Sequence, residues 1–189
     1  MPQRTENVFM VDPEYDLIDA IAHRDGKAFE RLVKRYQNPL FSFIRRCVED
    51  RQTAEDLTQE VFLRVYRSAG RFEPRARVSA WIFRIAYNLA VNEVKRRKRF
   101  LTFREESANI PEEFPEGGPF GSARLDEMKQ EIAAAMDELP HNQRAALLLR
   151  VDEGLSYREI ADVMGLSVSG VESLIYRART HLKKTLGRD

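Results

Sequence analysis

Apolar side chains at Phe29, Leu32, Val33, Tyr36, Leu40, Phe43, Ile44 and Cys47 recur at three- and four-residue intervals. That spacing lays one buried stripe along an α-helix. Pro39 stands inside the stripe and is expected to kink or break the helix, because it has no N–H and its ring crowds the preceding turn. A second helix is expected from Thr53, a residue type suited to an N-cap, with Glu55 and Asp56 in its first turn and Ala54, Leu57, Val61 and Val65 facing inward. A third begins near Ser79, buries Ile82, Ile85, Ala86 and Leu89, and runs into the cluster Lys95-Arg96-Arg97-Lys98-Arg99. No alternating strand pattern competes.

Between Glu105 and Ser122 the periodicity stops, and Pro111, Pro115, Pro119, Gly117, Gly118 and Gly121 interrupt an acidic stretch. Beyond it, helices are expected at about 125–138, 141–152, 156–164 and 167–186, separated by Pro140, Gly154 and Gly165. The expected fold is all-α: two small helical domains, residues 14–100 and 125–189, joined by a flexible acidic linker over 101–124. Fully extended, that linker spans roughly 80 Å, about two turns of duplex DNA.

Residues 156–175 carry the most specific signal of the C-terminal half. Ser156 and Glu159 have capping-box spacing, Ala161 is small where two helices must approach, Gly165 supplies a left-handed turn, and Ser167 caps the next helix. Ile160, Met164, Leu166, Val171 and Leu174 are expected to form the small core of a helix-turn-helix. Its second helix then turns Ser169, Glu172, Ser173, Tyr176, Arg177 and Thr180 outward, as in a helix entering a major groove. From Ser173 to Arg188 there are five Lys/Arg and no acid, which suits phosphate contact.

Charge sharpens this picture only through its distribution. The chain's net charge is +1, yet residues 1–100 carry 20 basic against 14 acidic side chains, whereas residues 125–189 carry 9 against 11. On the third helix Trp81, Arg84, Asn88, Asn92, Lys95 and Arg99 share one face and combine types that stack on, hydrogen-bond to and neutralise nucleic acid. Trp81 reads equally as a core residue. The flanking Arg71–Arg77 segment reads as a basic loop able to hold an unpaired base, or as a connector. On the second helix Asp56, Gln59, Glu60 and Leu63 form an acidic face with an exposed leucine, suited to a basic helical partner or simply to the helix dipole.

Cys47 is the single cysteine, so no intrachain disulfide is possible. With no signal-peptide stretch and no run of ~20 apolar residues, a soluble cytoplasmic protein is expected. His23, His141 and His181 are scattered, and no phosphate loop or metal-ligand spacing occurs, so neither an enzyme nor a cofactor or metal is implied.

Together these residues resemble the sigma-70 family in its extracytoplasmic-function (ECF) branch, from about Glu14 to Leu186. Thr53-Ala54-Glu55-Asp56-Leu57-Thr58-Gln59-Glu60-Val61-Phe62 is similar to the helix that docks on core RNA polymerase, at the clamp helices of its beta-prime subunit; the resemblance implies Asp56, Gln59, Glu60 and Leu63 as polymerase-binding residues. Trp81-Ile82-Phe83-Arg84-Ile85-Ala86-Tyr87-Asn88 is similar to the helix that recognises and melts the minus-10 element. Housekeeping members have two adjacent tryptophans where this chain has Trp81 and Ile82, and a frequent Asp is replaced by Asn92. The implied minus-10 residues are Arg75, Arg77, Trp81, Arg84, Asn88, Lys95 and Arg99. Leu139 through Lys184 resembles the minus-35 domain, with Arg158, Ser169, Glu172, Ser173, Tyr176, Arg177, Arg179 and Lys183 as implied DNA contacts; Glu172 and Leu174 stand where many members have basic residues. The resemblance further implies a contact with the polymerase beta subunit, an anti-sigma partner, no membrane insertion, and a monomer when free. The acidic residues Glu105, Glu106, Glu112, Glu113 and Glu116 are implied either to mimic nucleic acid inside polymerase or to form a solvated spacer. The competing reading is an operator-binding regulator whose N-terminal half senses a signal or dimerises.

Overall fold

The computed structural model describes residues 12, 14–48, 50–74, 76–104 and 123–187, of which 101–104, 123–127 and 129 are described by backbone alone. Among these residues eight α-helices follow one another: α1 Tyr15–Ala22, α2 Gly26–Val48, α3 Arg51–Ser68, α4 Val78–Arg104, α5 Ala123–Asp137, α6 His141–Val151, α7 Tyr157–Met164 and α8 Val168–Thr185, with one 3-10 turn at Ala69–Arg71. Among the described residues there is no strand.

Helix α2 is the spine of the N-terminal half. Its buried face, Ala28, Leu32, Tyr36, Leu40, Phe43, Ile44, Cys47 and Val48, meets α1, α3 and α4. Of the kink or break expected at Pro39, the break does not occur: the helix runs on through the proline. Leu40, Phe43 and Ile44 beyond the proline are all buried, and burial at roughly 1.5–3 kcal/mol for each large apolar side chain outweighs one lost backbone hydrogen bond. Helix α1 was not marked by the apolar pattern; Ile18 and Ile21 are its buried residues, and Tyr15, Leu17, Ala20 and Ala22 pack against the core beside them. The buried Glu14 before it accepts a hydrogen bond from the Tyr36 hydroxyl.

Helix α3 also begins differently from the sequence reading. Asp50, not Thr53, is the N-cap, and its carboxylate accepts from the Thr53 N–H at 2.8 Å. Both residue types cap well, and the one placed further upstream gains an extra turn of helix. Thr53 instead accepts from Arg97 of α4 at 2.6 Å, and Arg97 also pairs with Asp50 at 3.0 Å. Hydrogen bonds from Thr53 and then the Arg97 guanidinium hold the Asp50 carboxyl below the usual carboxylate range. Helix α4 continues through 104, and α5 begins at 123, so both ends of the stretch read as linker are helical; the part from 105 to 122 lies outside the described residues.

In the C-terminal half, α8 packs on α5, α6 and α7. Helix α6 buries Arg144 and every residue from Ala145 to Leu149, while its two ends, at Asn142 and at Arg150 and Val151, meet water. The helix-turn-helix core contains Ile160, Val163, Met164, Val171 and Ile175, with Leu174 half-buried. Leu166, expected in it, is 42% exposed. Gly165 has φ 66°, and this left-handed turn swings the next side chain out of the interface.

One continuous core joins the two halves. Along their seam α7 packs against α4, and α6 against α2. Arg144, buried from water, donates to the backbone carbonyl of Arg46 at 2.8 Å, and also to the carbonyls of Asp137 and Leu139. It therefore caps the C-terminus of α2 from the opposite half. Arg46 pairs with Asp152 at 2.8 Å, and the Tyr87 hydroxyl donates to Asn142 Oδ1 at 3.3 Å. A cleft of about 360 Å³ opens in the seam between Cys47, Tyr87, Val91, Val94, His141 and Asn142.

Candidate nucleic-acid interface

The stripe on α4 forms as its periodicity requires. Arg84, Asn88, Asn92, Lys95 and Arg99 lie on the outer side of the helix, all five exposed, while Ile82, Phe83, Ala86 and Leu89 are buried. Trp81 is half-buried: one face rests on Phe72, ring centroids 4.8 Å apart, and its remaining surface lines a recess. Trp81 is thus part of the core on one side and open to a recess on the other. The recess is walled by Arg71, Phe72, Glu73, Ala76, Trp81 and Arg84, and on its far side by Asp162 and Val163 of α7. Arg77 is at the rim, 3.8 Å from Glu159 of α7. Arg75 lies outside the described residues. The basic run at the end of α4 is partly committed to structure: Arg96 and Arg97 bind Glu93 at 2.7 and 3.1 Å, and these contacts, Arg96 first, lower the Glu93 pKa. Lys95 and Arg99 are turned to water.

On α3, Asp56, Gln59 and Leu63 are exposed, Leu63 by 46%. Glu60 is half-buried and bound to Arg64 at 2.7 Å, and Asp56 accepts from the Gln52 amide at 3.2 Å. Each is an exposed helix pair worth about 0.3–0.5 kcal/mol, weak enough to be exchanged for a partner's cation.

The helix-turn-helix is built by its caps. Ser156 Oγ accepts from the Glu159 N–H at 3.2 Å while Glu159 accepts from the Ser156 N–H at 2.7 Å, and Ser167 Oγ accepts from the Gly170 N–H at 3.1 Å. Arg158, Ser169, Glu172, Ser173, Tyr176, Arg177 and Thr180 are all exposed, Tyr176 by 72%. The Ser173 and Thr180 hydroxyls donate to the carbonyls of Ser169 and Tyr176, both at 2.9 Å. Their hydrogens are thereby spent on the helix, and the oxygens face outward as acceptors, like Glu172. Arg179 and Lys183 are exposed too, and they edge a second surface that sequence reasoning missed. This is an apolar groove lined by Ile132, Met136, Leu148, Val151, Leu182 and Leu186. Exposed Met128 and Ile132, four residues apart on α5, were its available signal. The contacts of α7 with α4 were also missed, since local periodicity carries no record of them. Among the described residues no group of His, Cys, Asp and Glu is placed to hold a metal ion, and no helix is long and apolar enough to cross a membrane.

Two family descriptions match the chain: Sigma-70 region 2 over residues 32–100, and Sigma-70, region 4 over residues 129–182. The RNA polymerase sigma-H factor of Pseudomonas aeruginosa is 35% identical, covering 93% of this chain and 94% of that protein. The ECF RNA polymerase sigma-E factor of Escherichia coli K12 is 34% identical over 86% of this chain and 88% of its own length. Among solved structures, the sigma factor RpoE of Bartonella quintana, in complex with the anti-sigma factor NepR, superposes with a TM-score of 0.73 at 25% identity, covering 86% of this chain and 99% of that one. These matches span both halves in the order read from the sequence and leave the operator-binding alternative without support. The chain belongs to the sigma-70 family, in its extracytoplasmic-function branch, and is a sigma factor that directs promoter-specific initiation of transcription.

Proposed function

We propose that the two halves divide the promoter between them, residues 14–100 acting as one domain on polymerase and the minus-10 element, and residues 125–189 as another on the minus-35 element. The observation that carries this reading is the outward polar stripe of α4 ending at the Trp81 recess. A flipped base fits between an aromatic wall and the cations of Arg71, Arg77 and Arg84, and stacking on such a wall is worth about 1–3 kcal/mol per base. Asn88 and Asn92 are placed to hydrogen-bond strand edges, while Lys95 and Arg99 neutralise phosphates; Arg75 joins them on the resemblance alone. On α8, the outward acceptors Glu172, Ser169 and Ser173 face amino groups in the major groove. Arg158, Arg177, Arg179 and Lys183 hold the backbone, and Tyr176 packs against a base or sugar.

Asp56, Gln59, Glu60 and Leu63 bind core RNA polymerase, on the clamp helices of beta-prime. The open apolar groove of α5, α6 and α8 supports a second protein contact, assigned to the beta subunit. The RpoE structure contains an anti-sigma factor, and an anti-sigma partner is proposed for this chain too, which is cytoplasmic and monomeric when free. The test is transcription by holoenzyme on duplex promoters and on templates already opened at the minus-10 element. Asn88→Ala is expected to cut the first more than the second; equal loss on both would refute a melting role.

A further inference from the structure

The core that joins the halves is interrupted between α2, α4 and α6 by the cleft of about 360 Å³. Packed interiors leave few voids larger than one water, whereas small-molecule sites begin at about 300 Å³, and this cleft belongs by size with the second. Its walls are apolar: Tyr87, Ala90, Val91 and Val94 of α4, Cys47 of α2 and Ala145 of α6. Ala90 and Ala145, both buried, carry one carbon each, and the space a larger side chain would fill stays open. The lip carries one sign of charge. Lys95 and Lys98, a turn apart on α4 and both exposed, stand at it. The first turn of α6 completes it, where the N-cap Pro140 gives no side-chain hydrogen bond, so the positive end of that helix adds to the two ammonium groups. Among the described residues no carboxylate lines the cleft.

We propose that this cleft is a binding site for a small single-chain anionic amphiphile, its apolar chain against Val91, Val94 and Tyr87 and its negative head between Lys95, Lys98 and the first turn of α6. An apolar slot with a cationic mouth is complementary to that chemistry at both ends: the chain leaves water, and the head stays at the surface beside opposite charge. At about 30 Å³ for each water-sized atom, the cleft accepts roughly a dozen non-hydrogen atoms, the size of a ten-carbon carboxylate and too small for a two-chain lipid. Because its walls come from both halves, a bound ligand adds to the contacts that hold α6 to α2 and α4. The site shares no lining residue with the Trp81 recess or with the groove of α5, α6 and α8, and it does not depend on which DNA element each half reads.

The test is calorimetric titration of the full chain below micelle-forming concentrations. The probes are decanoate, decylammonium, which keeps the tail and reverses the head, and acetate, which keeps the head alone. Decanoate is expected to fill a single site with a Kd on the order of tens of micromolar, and to raise the melting temperature by several degrees at millimolar concentration. Decylammonium and acetate should each bind at least about tenfold more weakly, one for its charge and the other for its missing chain. Val91→Phe, which fills the cleft from a half-buried wall position, should abolish decanoate binding with helicity retained. Lys98→Glu, at an exposed position, should weaken it about fivefold. Absence of a decanoate isotherm would overturn the proposal, and a higher melting temperature for Val91→Phe would then mark the cleft as an unfilled packing void. Equal binding by parent and Val91→Phe would place the amphiphile elsewhere on the chain, and equal affinity for decylammonium would reduce the effect to nonspecific adsorption; either result overturns the site. Should Val91→Phe fail to fold, unchanged affinity in Lys98→Glu would overturn it instead.

Discussion

Helices α3 and α4 belong to the same half, bury comparable apolar stripes and turn comparable polar faces outward, yet one face is open along its length and the other is walled at one end. Asp56, Gln59 and Leu63 on α3 meet water, whereas the N-terminal end of the α4 stripe, around Trp81 and Arg77, lies beneath α7. The difference is one of tertiary placement and not of local chemistry. An outward polar face tells what a helix can bind; how much of it stands open depends on neighbours from elsewhere in the chain.

The comparison can be broken most forcefully at Arg144. Arg144→Met removes the buried donor to the carbonyls of Arg46, Asp137 and Leu139, and leaving such groups unsatisfied is expected to cost about 2–4 kcal/mol in urea unfolding. Trp81 should be uncovered well before global unfolding while polymerase affinity at low denaturant is retained. A wild-type midpoint would mean the seam is pinned elsewhere.

A somewhat smaller effect is expected on the open face. Asp56→Lys/Glu60→Lys should weaken binding to core polymerase by about 2 kcal/mol, roughly 30-fold, with Trp81 emission and helicity unchanged. If Trp81 emission shifted as well, the two faces would be coupled and the contrast between them lost.

On α8 the contrast becomes one between base and backbone contacts. In holoenzyme, Glu172→Ala should relax preference at one or two minus-35 base pairs by about 1–2 kcal/mol. Lys183→Ala should weaken all sequences alike and reduce the salt slope by about one. Reversed outcomes would reverse the orientation of α8 in the groove.

The smallest effect concerns Glu153, between α6 and α7, whose pKa is pushed up to about 7, first by burial and then by neighbouring Asp152. The folded state holds this proton more tightly than the unfolded one, so its stabilising effect is full below about 4.5 and is lost as pH rises toward about 7. Glu153→Gln should flatten that decline and stabilise the chain at pH 8 by under about 1 kcal/mol, since the group keeps part of its solvent. A parent whose melting temperature is level across this range would contradict it.

What was legible in the sequence was whatever neighbouring residues decide. Ser156, Glu159, Gly165 and Ser167 spell the helix-turn-helix because caps and a left-handed turn act within a few residues. The α4 stripe was readable from periodicity for the same reason. Two equally good caps three residues apart, Asp50 and Thr53, could not be ranked without Arg97, which arrives from 44 and 47 residues away. Whether Pro39 would break the helix could not be decided locally, because propensity is local and the burial that carries the helix past it is not. The seam was illegible altogether: Arg144 sits beside an apolar run that gives no hint of Arg46, 98 residues earlier.

Cys47 is buried at 7% exposure in α2, on the wall of the cleft between the halves. A thiol on the wall of that cleft, with little of its surface exposed, is expected to react faster with an alkylating reagent when the seam is parted. When closing outpaces labelling, the observed rate is the rate for a free thiol multiplied by the fraction of time spent open. The sole cysteine of the chain thus acts as a clock on interdomain breathing. Polymerase, DNA or an anti-sigma factor could each be scored by whether it speeds that clock or slows it.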